Sequence, residues 1–281
     1  MRHATWLAIE SSPFWRNIYR TYRRLPAGAR SPIRWLTMPR WHLATAVIRM
    51  AARNKVVAGP FRGMTLELSP LSRRLLLSYI LGSTERELRE VTESILAKQY
   101  PTILNIGAAD GYYAVGLASR SPKSQVIAFE ALAVLHAVIK RAARANGVAD
   151  RIRIAGRCEL SDLQQELQAA TLPTLVFMDI EGAELHLLDP VATPALRDAD
   201  ILVETHDYFA PGCTENLISR FASTHRIERF VARPRILSDY PRDFLSFLPR
   251  FFPRLAVDLM DERRVGVQQW LYLAAKSRNP N

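Results

Sequence analysis

The sequence predicts an α/β protein built on a doubly wound, mostly parallel sheet. Three observations predict it. From residue 102 onward, short apolar runs alternate with helical runs; a glycine-bearing turn joins the first run to the first helix; and an acid closes the second run. The predicted strands are TILNI at 102–106, QVIAF at 125–129, RIRIA at 151–155, TLVFMD at 174–179, ILVE at 201–204 and RIERFVA at 226–232. Residues 269–275 form an antiparallel last strand. Helical runs at 112–119, 131–146, 163–170, 183–188 and 214–223 lie between them.

Ahead of this core, charge divides the chain. Residues 1–60 carry eleven Lys/Arg against one acid, Glu10, for +10, while residues 61–281 carry 27 basic and 26 acidic side chains, for +1. The basic segment is also aromatic, with Trp6, Phe14, Trp15, Tyr19, Tyr22, Trp35 and Trp41, and turn signals at 26–28, 31–32 and Pro39 cut it into pieces. From Trp41 a helix is expected with Trp41, Ala44, Val47, Ile48 and Ala51 on one face. Three readings of residues 1–60 stay open: a lead-in whose aromatics pack on the main domain, a peripheral hold on an anionic membrane surface, and, with less support, a nucleic-acid contact. Residues 61–100 are expected to add the second arm of a short hairpin (55–58 with 64–68) and a helix over 85–98 opened by a Thr84/Glu87 capping box. The third unit is 101–281, with an insertion at about 208–268 that includes the proline-cut aromatic stretch at 240–252.

Composition excludes several classes. Cys158 and Cys213 are too few for a disulfide framework and suit a reducing compartment. No apolar run approaches the roughly 20 residues that span a bilayer. Glu10 ends the apolar run at 4–9, so no secretory signal is expected, although an Arg-rich, acid-poor start also resembles an organelle transit peptide. The expected location is cytoplasmic, with peripheral membrane association as the open alternative.

The first strand–helix junction is the sharpest local signal. Residues 103–111 read ILNIGAADG, in which Gly107 and Gly111 allow a tight turn and close backbone approach to a ligand. The second strand ends in Glu130, placed to accept from the two hydroxyls of a ribose. Ala109 stands where a dinucleotide fingerprint has its second glycine, and no Gly-Lys-Ser/Thr ending marks a phosphate loop. A nucleoside without phosphates, S-adenosylmethionine, is the common occupant that remains. The expected cofactor contacts are Asn105, Gly107, Ala108, Asp110, Gly111, Tyr112, Glu130, Ala131 and Asp179.

Four stretches in order, ILNIGAADGYYAVGLA, VIAFEA, LVFMDIEGAELHLL and ILVETHD, resemble the FkbM-type group of class I S-adenosylmethionine-dependent methyltransferases. The similarity covers about 102–207, and its most specific piece is Asp179-Ile180-Glu181-Gly182-Ala183-Glu184. It implies a Rossmann-like seven-stranded sheet of the class I methyltransferase type. It also implies methylation of an oxygen on a sugar, glycan or other polyhydroxylated small molecule. Position 105 departs from the general pattern, which has an acid there, and leaves Asp110 or backbone carbonyls to hold the methionine ammonium.

A hydroxyl acceptor gains from a base or from a bound cation. Two readings of the strand-end cluster compete. In one, Asp179, Glu204 and Asp207 hold Mg2+; in the other, His206, Asp179 or Glu204 takes the proton directly. A blander third has Glu181 and Glu184 merely charging a helix N-terminus. His136 and His186 are expected to be surface or packing residues, and Cys158 an inert thiol. The competing function is a non-catalytic or membrane-surface binding protein that keeps the fold. Oligomeric state is open.

Overall fold

The structure, a computed structural model, describes residues 39–72, 75–262 and 268–276. The aromatic, basic stretch before Pro39 and the expectations placed on it lie outside the described residues. Seven strands form one sheet: β1 (Thr102–Ile106), β2 (Gln125–Phe129), β3 (Ile152–Ala155), β4 (Thr174–Met178), β5 (Asp200–Thr205), β6 (His225–Val231) and β7 (Gln269–Ala275). Their order is β3-β2-β1-β4-β5-β7-β6, with β1 to β5 parallel and β7 antiparallel to both neighbours. This is a doubly wound, Rossmann-like sheet of the class I methyltransferase type. The order reverses between β1 and β4, and loops leaving the strands there part to opposite sides and open a crevice.

The strands read as continuous apolar runs because both faces of the sheet are covered. Ile103, Leu175, Phe177, Leu202 and Trp270 face one core layer, while Leu104, Val176, Met178, Ile201 and Leu271 face the other. The first layer is closed by α1 (Pro39–Ala52), α2 (Leu76–Leu81), α3 (Arg89–Lys98), α4 (Tyr112–Arg120) and α5 (Ala133–Ala145). The second is closed by α6 (Leu160–Ala169), α7 (Glu184–Leu187) and α8 (Cys213–Phe221). In α1, Ala44 and Ile48 of the expected face are buried, but Ala51 is exposed and Ala52 is buried in its place, so the packed face is turned slightly from the expected one.

Three expectations change in the lead-in and the tail. The hairpin is shorter than expected: residues 54–56 pair with 63–66 through one Lys55–Thr65 bridge and the Val56–Met64, Gly63–Val56 and Leu66–Asn54 backbone bonds, and Asn146, just after α5, bonds both the N–H and the C=O of Thr65. The Thr84/Glu87 capping box does not form. Glu87 is drawn to Arg235 at 2.8 Å, Thr84 Oγ1 is buried without a partner, and Glu85 takes a left-handed φ of 45°, so residues 86–88 make one 3-10 turn before α3. The insertion begins only after β6, since α8 and β6 fill the first part of 208–268. It carries two short helices, α9 (Phe247–Phe251) and α10 (Pro253–Met260). The excursion is tied down by Arg235, whose guanidinium bonds Glu87 and Glu262.

The far rim of the sheet is locked by Asp200. Lys98 Nζ (2.6 Å) and the hydroxyls of Tyr100 and Tyr272 donate to its Oδ2, and the Ala275 N–H donates to Oδ1 at 2.8 Å. Burial alone would raise the Asp200 pKa, but the Lys98, Tyr100 and Ala275 bonds outweigh it and hold it below the ordinary carboxylate value. A depressed folded pKa contributes stability that is present above the unfolded pKa of about 3.9 and lost as pH falls through the folded value. Asp200→Asn should therefore cost about 2 kcal/mol near neutrality. Denaturant titrations of both proteins should show that difference narrowing below about pH 4.

Candidate functional site

The loop after β1 is shaped by close approach. Gly107 has φ +85°, and a Cβ there would sit 1.8 Å from the Asp179 carbonyl oxygen, so only glycine lets the ends of β1 and β4 touch at the crevice. Ala109 is also left-handed, at φ 47°, which costs a non-glycine residue about 1 kcal/mol. What holds it is Glu130. The Ala109 N–H donates to Glu130 Oε2 and the Leu132 N–H to Oε1, each at 2.7 Å. The acid at the end of β2 thus faces the loop after β1 and ties it to the start of the loop after β2. His136 Nε2 donates to the Glu130 carbonyl at 2.7 Å, a supporting contact beyond the packing role read from the sequence.

Beside this clamp lie polar atoms with no partner among the described residues. Asn105, buried in β1, satisfies neither Oδ1 nor Nδ2, and buried Asp110 offers Oδ1 free while Oδ2 accepts from the Ser69 N–H at 3.1 Å. Each such group costs about 1–3 kcal/mol unless a ligand satisfies it. Together they can receive an ammonium and donate to a carboxylate.

The second half of the site lies at the ends of β4 and β5. Asp179 Oδ1 is 3.7 Å and Glu204 Oε1 4.0 Å from His206 Nε2, while His206 Nδ1 bonds Glu184 Oε1 at 2.6 Å. Glu184 is fully buried, and its Oε1 also accepts from the Gly182 N–H at 3.3 Å. Burial disfavours the His206 imidazolium, but the Glu184 bond and the Asp179, Glu184 and Glu181 charges outweigh it and raise its pKa above the ordinary histidine value. Asp179, Glu204 and His206 bring three ligand atoms within 4.8 Å of one another. Asp207, expected as a metal ligand, is engaged elsewhere: Thr214 donates to it from its N–H at 3.2 Å and from its hydroxyl, at the start of α8.

Solved structures to which the chain is similar include two O-methyltransferases. One is the enzyme from Bacillus cereus in complex with S-adenosylhomocysteine (13% identity, 83% of this chain and 90% of that one, TM-score 0.43). The other is TomG from Streptomyces achromogenes, involved in tomaymycin synthesis, in complex with S-adenosylmethionine (14% identity, 69% and 89%, TM-score 0.44). No family model and no curated protein matches the chain.

The expected residues therefore gather in two groups. Asn105, Gly107, Ala108, Asp110, Gly111 and Glu130 frame the first loop, with the Gly107 and Ala108 N–H groups both donating to the Phe129 carbonyl at 2.9 Å and Ala131 exposed just beyond Glu130. Asp179, Glu204 and His206 form the second group. Tyr112, at the start of α4, is buried and stacks on Tyr79 of α2 at 4.2 Å. Tyr113 packs its ring on Phe177 and bonds Glu85. Burial and neighbouring acids push the Cys158 thiol up to about 12, an inert thiol as expected, and His186 is exposed. Glu184, which one of the sequence readings took for a helix-terminus charge, joins the site through its bond to His206. No helix among the described residues is long and apolar enough to cross a membrane.

Proposed function

We propose that this chain is an S-adenosylmethionine-dependent methyltransferase of the FkbM type that methylates a hydroxyl of a sugar, glycan or other polyhydroxylated small molecule. The observation that carries the reading is the Glu130 clamp. Both carboxylate oxygens are fixed by amides yet each keeps a lone pair, so Glu130 offers paired acceptors to vicinal ribose hydroxyls. Asn105 and Asp110 supply the unpaired atoms that a methionine ammonium and carboxylate would satisfy. In transfer, the methyl carbon leaves sulfur, which becomes a neutral thioether, and bonds to the acceptor oxygen, whose proton must go elsewhere.

His206 is the residue for that proton. Glu184 accepts from Nδ1–H and so fixes the tautomer whose Nε2 faces Asp179 and Glu204. The same Nε2, with Asp179 and Glu204, would alternatively hold a divalent cation, which would polarise the acceptor oxygen. Replacement of Asp207 by an imidazole makes the set better suited to Mn2+, Fe2+ or Zn2+ than to Mg2+, which prefers oxygen donors.

Isothermal titration with S-adenosylmethionine and S-adenosylhomocysteine tests the cofactor half. No heat from folded protein rejects it. A screen of hydroxylated acceptors with labelled donor, with and without chelator, tests the rest. His206→Ala should lower turnover about 100-fold or more with cofactor affinity unchanged. For direct base catalysis, chelator leaves the rate intact and the rate rises with pH through a value above the ordinary histidine pKa of about 6.5, because Nε2 must be neutral to accept.

A further inference from the structure

The excursion between β6 and β7 ends in a tip whose composition is unlike the rest of the surface. Leu248, Ala256, Leu259 and Met260 are buried and root α9 and α10 on the body, where α10 packs against α1 and α2. From the start of α9 to the turn between the helices the pattern inverts. Phe247, Phe251 and Phe252 are 43%, 66% and 45% exposed, although nothing in a hairpin of this kind requires aromatic residues outside. Three exposed phenyls on one projection mark a surface made to be covered.

The charges name what covers it. Arg250 and Arg254 bracket the two adjacent phenylalanines and are exposed, and Arg250 lies 5.4 Å over the Phe251 ring. No acid occurs from Ser246 to Leu255. The helix that α10 packs against, α1, ends a segment with no acid between Glu10 and Glu67, and its outer side carries Leu43 and Met50, 61% and 76% exposed, with Arg40, Arg49 and Arg53. Phenyl rings flanked by guanidinium groups suit the boundary of an anionic bilayer, where the rings enter the acyl edge and the cations meet phosphate oxygens. A second copy fits less well, since it would bring one basic rim against another.

We propose that the α9–α10 tip is a membrane-docking element that seats the protein on an anionic lipid surface without spanning it. The inference is independent of the methyltransferase reading. The test is sedimentation of the full chain with phosphatidylcholine vesicles, with and without phosphatidylglycerol. The wild type should sediment only with the anionic vesicles. Phe251→Ser/Phe252→Ser and Arg250→Gln/Arg254→Gln should each weaken vesicle affinity about tenfold or more, at unchanged thermal midpoint, because all four side chains are exposed. Failure of the wild type to sediment with anionic vesicles would overturn the proposal. So would equal sedimentation of the variants, which would leave any adhesion to other residues. Loss of self-association in the phenylalanine variant without vesicle binding would give the tip to a second copy instead.

Discussion

Gly107→Val should leave little folded protein, and whatever folds should melt about 8 °C or more below the wild type, a loss of roughly 4 kcal/mol or more. Two costs combine. The residue has φ +85°, where a β-branched side chain is strongly disfavoured, and its Cβ would overlap the Asp179 carbonyl oxygen, 1.8 Å away. That carbonyl belongs to backbone, and the Asp179 N–H is already bonded to the Ile106 carbonyl at 2.9 Å, so the neighbour cannot swing aside without parting β1 from β4. Gly147→Val is the control. Gly147 is also left-handed, at φ +67°, but a Cβ there meets nothing within 4 Å. Thermal melts should separate the two by several kcal/mol; equal losses would mean that only backbone strain matters and that the strand ends are not in contact.

Glu130→Ala should weaken S-adenosylhomocysteine binding about 100-fold, near 2.7 kcal/mol, while the protein stays folded. The substitution removes the acceptors proposed for the ribose. It also releases the Ala109 and Leu132 amides that hold the loop, so the left-handed Ala109 loses its restraint. Titration calorimetry measures the change. An affinity within threefold of wild type would show that the acid serves the loop alone and would remove the main support for the nucleoside reading.

The sheet was legible because burial on both faces turns each parallel strand into an unbroken apolar run, and the first loop because Gly107 and Gly111 occupy positions where the chain turns left-handed. The acidic cluster was legible as a place but not as a geometry. Strand side chains alternate, so Glu204 and His206 share one side while Thr205 and Asp207 share the other, and both of the latter reach Thr214 in α8. That period of two, applied through the end of β5, would have chosen His206 over Asp207. Glu184 had no comparable signal, because it sits in α7 and its partner His206 just past β5, and only the folded chain brings them to 2.6 Å. The absent capping box has the same origin: Glu87 is claimed by Arg235, far along the chain.

The Arg235 bridge carries a wider consequence. By joining Glu87 to Glu262, it moors the excursion to the lead-in rather than to the strand ends that bear Asp179 and Glu204. The excursion is thus anchored by residues that belong neither to the Glu130 loop nor to the Asp179, Glu204 and His206 cluster.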